Sequence, residues 1–278
     1  MWFAARRALV ARGGHGLAVR ATPWRGARGL AVCADILLER LGVTPEKAAK
    51  AEGKLLPNIR RDLTREHAEE VCDFLQSRLN LDGAELKRIV LKQPSALSYS
   101  IDNNLAPTID WLKANFSLTE AELKTLVLRF PIVLGYSIDD NLAPTLSWLT
   151  SRLLLTNAQL KTLILGLPPV LGLSVDANLS PTIDFFEHEL NIRGSDLREL
   201  ILTMPARLAY SLSKRYRPRL AACRAVGADL RLVLTCADHT DEQFCKRRGL
   251  TLEDYERLKS RGAVDESTCS GSVSLSVG

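Results

Sequence analysis

Six cations crowd one short stretch near the C-terminus: Arg207, Lys214, Arg215, Arg217, Arg219 and Arg224. No acid falls between Glu199 and Asp229 to offset them. Lysine and arginine at this density neutralise phosphates and release condensed counterions, which is the chemistry of a nucleic-acid backbone contact. Tyr210 and Tyr216 are interleaved with them, and a phenol ring can stack on a base or a ribose. The ordinary alternative is a solvated helix face, but six cations without a counter-charge exceed what most such faces carry.

A second set of cations is regular. Lys87, Lys124, Lys161 and Arg198 recur every 37 residues. In a stack of like units, one phase makes one row along one face. The ladder would then present evenly spaced charges to a phosphate backbone. The competing reading is helix-surface cations paired with acids of their own helix. Glu85 and Glu122 stand two residues away, on another face, and do not suit that pairing.

The remaining reactive residues form no constellation. Cys33, Cys72, Cys223, Cys236, Cys245 and Cys269 contain no C-x-x-C, and the nearest grouping, Cys236, His239 and Cys245, lacks a fourth ligand. Scattered thiols fit a reducing compartment. His15, His67 and His188 are isolated. Asp102, Asp139 and Asp176 share a phase and read as local turn bonding, while Asp110 and Asp184 read as solvated. Gly166 and Gly172 flank Pro168-Pro169 without making a phosphate loop. With no nucleophile–base pair and no paired carboxylates, the expectation is a binding protein rather than an enzyme, with no cofactor and no metal.

What must position these residues is set by proline. Pro94, Pro131, Pro168 and Pro205 stand 37 residues apart, and Pro107, Pro144, Pro181 and Pro218 follow each by 13. Proline stops or starts helices because it lacks an N–H and crowds the preceding turn. A fixed period of this length marks a stacked repeat array. Leu86, Ile89 and Val90 give an apolar stripe at i, i+3 and i+4, repeated in phase by Leu123, Leu126 and Val127 and by their later counterparts. Thr119 with Glu122 and Thr156 with Gln159 fit a capping box, and Asp82 with Glu85 nearly does. Arg193 leaves the start of the fourth such helix uncertain. Ser100, Ser137, Ser174 and Ser211 follow the first proline in phase. Asn104, Asn141 and Asn178 precede the second proline by three, which predicts an Asn N-cap with proline in the first turn. Leu105, Ile109, Leu112 and Phe116 trace the second helix, and Trp111, Trp148 and Phe185 share one position on it. Neither helix can bury its stripe alone, and stacked neighbours supply the cover.

The unit L-x-x-L-V-L-x-x-P-x-x-L-x-x-S-x-x-x-N-L-x-P-T-I-x-W-L resembles the repeat of the mTERF family of organellar transcription termination factors. The stretch from Tyr210 to Leu220 resembles that family's closing motif, Y-S-L-x-K-R-x-x-P-R. Leu41 to Leu56 is similar to the segment that opens the array in plant and algal members. The likeness covers roughly residues 36–249. It implies an all-α curved solenoid, a half-ring superhelix whose basic concave side holds double-stranded DNA, or RNA in some members. It also implies organellar regulation of transcription, including termination. A protein-interaction solenoid that docks a partner in ribosome or rRNA maturation is the alternative.

Residues 1–34 hold six arginines (Arg6, Arg7, Arg12, Arg20, Arg25, Arg28) and no acid. These exceed the whole net charge of +5, so the rest of the chain carries −1. Nucleic-acid binding therefore rests on where the charges sit. The segment reads as an organellar transit peptide, and its scarcity of Ser and Thr favours mitochondrion over plastid. The expected organisation is this leader, an array over 35–249, and a C-terminal helix fragment and disordered tail over 250–278. Thr44-Pro45 starts an early helix. Pro57 falls on the proline grid, but Glu70 replaces the second proline of its unit. Ala222 replaces the aromatic of the last unit. Short helices are expected at 241–249 and 252–259. No apolar run is long enough to span a bilayer, and a monomer is expected.

Overall fold

The structure is a computed structural model, and it describes residues 32–235, 239–257 and 259. Among these the chain is all helical. It runs α1 (Val32–Asp35, continuing into a π-turn at Ile36–Arg40), α2 (Pro45–Glu52), α3 (Pro57–Asp62), α4 (Arg65–Leu79), α5 (Gly83–Lys92), α6 (Ala106–Phe116), α7 (Glu120–Arg129), α8 (Ala143–Leu153), α9 (Asn157–Gly166), α10 (Ser180–His188), α11 (Gly194–Thr203), α12 (Arg217–Ala225), α13 (Leu232–Thr235) and α14 (Asp241–Arg248). Residues 252–257 are helical again.

The proline grid divides this run into units. Each regular unit has a lead helix (α4, α6, α8, α10) and a trailing helix (α5, α7, α9, α11). Trailing helices stop one residue short of each grid proline, and a 3₁₀ turn begins at Pro94, Pro131, Pro168 and Pro205. Capping boxes close α5, α7 and α9, the Asp82–Glu85 pair included. The start of α11 at Arg193 has no side-chain cap.

The lead helices begin differently from the sequence expectation. The N-cap is the phased serine, not the asparagine. Ser100, Ser137, Ser174 and Ser211 each accept from the backbone N–H three residues on. The first turn is a π-turn: the N–H groups of Leu105, Leu142, Leu179 and Tyr216 reach back five residues to the serine carbonyl, at 2.9–3.2 Å. The asparagines lie inside that turn. A proline seven residues after the cap would press its ring on the carbonyl four back in an ordinary α-helix. The widened turn makes room for it.

Stacking is regular. Each lead helix packs against the trailing helix of the next unit, as α4 does on α7, α6 on α9 and α8 on α11. The apolar stripes meet in one core. Leu86, Leu123, Leu160 and Leu197 are buried, as are Leu105, Leu142 and Leu179. Each such side chain contributes about 1.5–3 kcal/mol by leaving water. Trp111 and Trp148 are half-buried and Phe185 is buried. A methyl at Gly135 or Gly172 would overlap the hydroxyl of Tyr99 or Tyr136 from the preceding unit, which is why those two positions are glycine.

The fold starts earlier than composition suggested. Cys33 and Ala34, grouped by sequence with the arginine-rich segment, are buried in α1. The rest of that segment, 1–31, and the tail from 260 lie outside the described residues. At the far end, Phe244 and Tyr255 are both buried, with ring centroids 5.7 Å apart, and close the last unit.

Candidate nucleic-acid interface

The cation ladder lies in the seams between units. Lys87 Nζ donates to Gly42 O at 3.0 Å, Lys124 to Asn80 O at 2.7 Å, Lys161 to Ser117 O at 3.0 Å, and Arg198 Nε to Leu153 O at 3.0 Å. In the last three the acceptor is the C-terminal end of the preceding lead helix. A cation there caps carbonyls that have no intrahelical partner and meets the negative end of the helix dipole. Lys124 also pairs with Glu85 at 2.6 Å and Lys161 with Glu122 at 2.8 Å. Those acids belong to the preceding unit's capping boxes. The partners lie on a neighbouring unit and so leave no pattern within any one helix. Glu122 is thereby held down to about 2, first by the Lys161 hydrogen bond and then by the Thr119 N–H.

Three more cations cross the seams in the same way. Lys54 donates to Leu91 O at 2.8 Å, Lys92 to Leu128 O at 3.3 Å and Arg129 to Leu165 O at 2.5 Å. Arg78 pairs with Asp110, and Arg152 with Asp184 at 3.1 Å and Glu187 at 2.5 Å, so Asp110 and Asp184 are engaged rather than merely solvated. In the next pair the charges swap sides. Glu189 occupies the phase of Arg152, Arg224 occupies that of Glu187, and the two meet at 2.7 Å. Arg224 is thus a seam residue.

The C-terminal cluster divides in two. Arg219 and Tyr216 are internal, both fully buried. Arg219 takes the buried threonine phase of Thr108, Thr145 and Thr182. Its guanidinium donates to His239 O at 2.7 Å and Asp241 Oδ1 at 2.9 Å, and it covers the Phe244 ring at 5.0 Å. It ties α14 to the array. Tyr216 takes the core leucine phase, stacks on Phe185 at 5.6 Å and donates its hydroxyl to Arg207 O at 2.8 Å. Burial pushes its phenol above the usual range. Neither residue is placed to touch a base. Arg207 stands at the core phase of Ala96, Val133 and Val170, is half-buried, and donates to Leu200 O at 2.5 Å.

The other members face outward. Lys214 and Arg217 are exposed, and Arg215 and Tyr210 are half-buried. The Arg215 guanidinium lies over the Tyr210 ring at 4.7 Å. Lys214, Arg215 and Arg217 all sit in the opening turns that lead into α12. Regular units carry Asp102, Asp139 with Asp140, and Asp176 in those turns. Acids suit the positive end of a helix and cations oppose it. Among the described units the last one alone gathers positive charge at the start of its lead helix, where the helix dipole itself favours an anion.

Among the described residues no group of three His, Cys, Asp or Glu side chains gathers as metal ligands would, and no helix is long and apolar enough to cross a membrane. Cys236 lies outside them. Cys33 and Cys72 are buried thiols pushed up to about 12 and about 11, mainly by desolvation.

The mTERF family model matches residues 37–244, and the chain belongs to the mTERF family. That family consists of nucleic-acid-binding factors of organellar gene expression, generally without enzymatic activity. No curated protein matches the chain.

Proposed function

We propose that this protein binds nucleic acid in an organelle and regulates transcription there, termination included. Double-stranded DNA is the favoured ligand and RNA the second. The observation that carries the reading is the reversal of charge at the start of α12, where Lys214 and Arg217 are exposed in turns that are acidic elsewhere. Arg215 and Tyr210 flank that contact. Arg207, Tyr216, Arg219 and Arg224 support it from within, and Lys87, Lys124, Lys161 and Arg198 hold the units that present it. The array curves into a half-ring and acts as a monomer. The scarcity of Ser and Thr in the leader favours the mitochondrion, with the plastid as the alternative.

A salt titration of binding tests this. Affinity for duplex DNA or single-stranded RNA should fall steeply between about 50 and 200 mM salt. The Lys214→Glu/Arg217→Glu variant should lose binding and flatten the salt slope by about one per lost phosphate contact. Lys124→Met should keep both. Absence of binding at low salt overturns the reading.

One observation favours a second reading. The ladder cations are spent inside the seams, and the chain after the leader carries −1. An array with one local basic patch also suits docking a protein in ribosome or rRNA maturation. Binding that persists at high salt, with a protein and not with nucleic acid, would select it.

A further inference from the structure

Tyrosine fills two of the seams between units. Tyr99 lies against Gly135 and Tyr136 against Gly172, each hydroxyl in the space that a methyl on the glycine would need. The next seam departs from this at both positions. Leu173 stands at the tyrosine phase and Ala209 at the glycine phase. Leucine does not reach as far as a tyrosine ring, and a cleft of about 360 Å³ opens beside it. Leu173, Asn178 and Thr182 line it from one unit, and Ala209, Tyr210, Ser211 and Ser213 line it from the last. Its walls offer hydroxyls, an amide and a phenol, and among the described residues no charged side chain lines it. The cationic turn begins at the next residue, Lys214. Ser211 Oγ accepts from the Lys214 N–H at 3.1 Å, and the Arg215 guanidinium lies over the Tyr210 ring at 4.7 Å. The open seam and the reversed charge therefore share one stretch of chain.

We propose that this cleft receives one unpaired base, with its sugar, from a strand whose phosphates lie on Lys214 and Arg217. The inference rests on the nucleic-acid reading above and narrows it to a ligand with at least one unpaired position. A volume near 360 Å³ is at the small end of ligand sites and suits a single ring system. A base is flat, uncharged and edged with donors and acceptors. The hydroxyls of Ser211 and Ser213 and the amide of Asn178 are groups that bond such edges in either sense. Tyr210 supplies an aromatic wall, and stacking on a ring is indifferent to which base is present. A charged group would find no counter-charge inside the cleft, whereas a phosphate finds one just outside it. A base held in a duplex is stacked and paired, so only an unpaired one can turn its ring and edges to the protein.

The test is to fill the cleft as the other seams are filled. Leu173→Tyr with Ala209→Gly restores the pair that the chain already uses twice. Binding is measured at about 50 mM salt to a single-stranded RNA, to the DNA strand of the same sequence, and to an abasic sugar-phosphate strand of equal length. A perfect duplex is compared with the same duplex carrying one bulged base. The wild-type protein should hold a strand with bases about tenfold tighter than the abasic strand, within the range for one stacked base. It should prefer the bulged duplex by a similar factor, and the tighter of the RNA and DNA strands identifies the sugar. The filled variant should lose these preferences and keep its salt slope, because Lys214 and Arg217 are untouched. If the filled variant does not fold, Ala177→Leu takes its place, narrowing the cleft from an exposed position. A folded variant that keeps the preference overturns the cleft as its site. Equal binding of the base-bearing and abasic strands by the wild-type protein overturns the proposal and leaves the phosphate contact standing. Failure to bind any probe overturns the nucleic-acid reading itself.

Discussion

The regular units and the last one share phases but differ in chemistry. Over 94–204, core phases hold Ala96, Val133 and Val170, then Leu105, Leu142 and Leu179, then Thr108, Thr145 and Thr182. After Pro205 the same three phases hold Arg207, Tyr216 and Arg219. The last unit has no following unit of its kind to cover it. It closes on α14 with hydrogen bonds from Arg219 instead, while Tyr216 bonds back to Arg207 O of its own unit. Meanwhile the acidic helix starts of the earlier units become Lys214, Arg215 and Arg217. Phase, more than charge count, decides whether a cation is scaffold or surface. Six cations in one stretch look like one patch in the sequence, and the fold sorts them into a clamp, a seam and an exposed turn.

Removing the clamp should have the largest effect. Arg219→Met leaves Asp241 and His239 O without their guanidinium. Breaking a buried pair from one side costs about 3–5 kcal/mol. Asp241 keeps about a third of its side chain exposed, which places the loss near the low end. Chemical denaturation should show it, together with early hydrogen exchange in α14. A loss under about 1 kcal/mol would mean that the last unit closes mainly by the apolar contact of Phe244 and Tyr255.

This contrast also marks how far the sequence could be read. The proline grid, the leucine stripes and the three capping boxes are local patterns with local causes, and they predicted helix type and most boundaries. Serine and asparagine both cap helices well, so sequence spacing alone does not choose between them. Only the π-turn, set by proline crowding, distinguishes them. Lys124 and Lys161 are readable as a row but not as staples, because the carbonyls they bond lie 44 residues back in the chain and their acids in the preceding unit. The buried state of Tyr216 and Arg219 was available in principle. Aligning the last unit on the others places them at Leu179 and Thr182, a core phase and a buried one.

The seams offer the next test. Lys161→Met should destabilise the array by about 1 kcal/mol through loss of the carbonyl cap at Ser117. It should leave nucleic-acid affinity unchanged, whereas exposed-turn variants do the reverse. The acid limb should change as well. Glu122 is held down to about 2. Its contribution is therefore complete above the ordinary carboxylate range and is lost as pH falls through the folded value. Unfolding midpoints measured from pH 5 to about 2 should decline less steeply in Lys161→Met than in wild type. Parallel declines would sever the ladder from stability.

A smaller effect tests whether the regular units are themselves optimal. Asn80, Ser117 and Leu154 end lead helices, and Asn191 holds the same phase just past α10; all four have φ near +50°. Leucine tolerates this region poorly, and Leu154 is also 70% exposed. Leu154→Asn adopts the residue used at two of the other three positions. It should stabilise by about 1 kcal/mol, the typical cost of a left-handed non-glycine residue. Thermal denaturation reads it directly. A loss of stability would mean that Leu154 has an apolar partner.

The smallest effect bears most closely on the comparison. Lys214 follows its N-cap serine by three, in the phase where another unit carries Asp140. A cation in a helix's first turn works against the dipole by about 0.3–1 kcal/mol. Lys214→Asp should therefore make the protein slightly more stable while weakening its hold on nucleic acid. Most surface substitutions that impair binding leave stability alone or lower it. Opposite signs in the same variant are expected only where a residue is kept against its local preference because an anion occupies the site. The stability gain should fade as salt is added, since the dipole term is screened. If Lys214→Asp lowers stability, the helix start is not frustrated, and the reversal of charge at α12 loses its meaning as a binding signal.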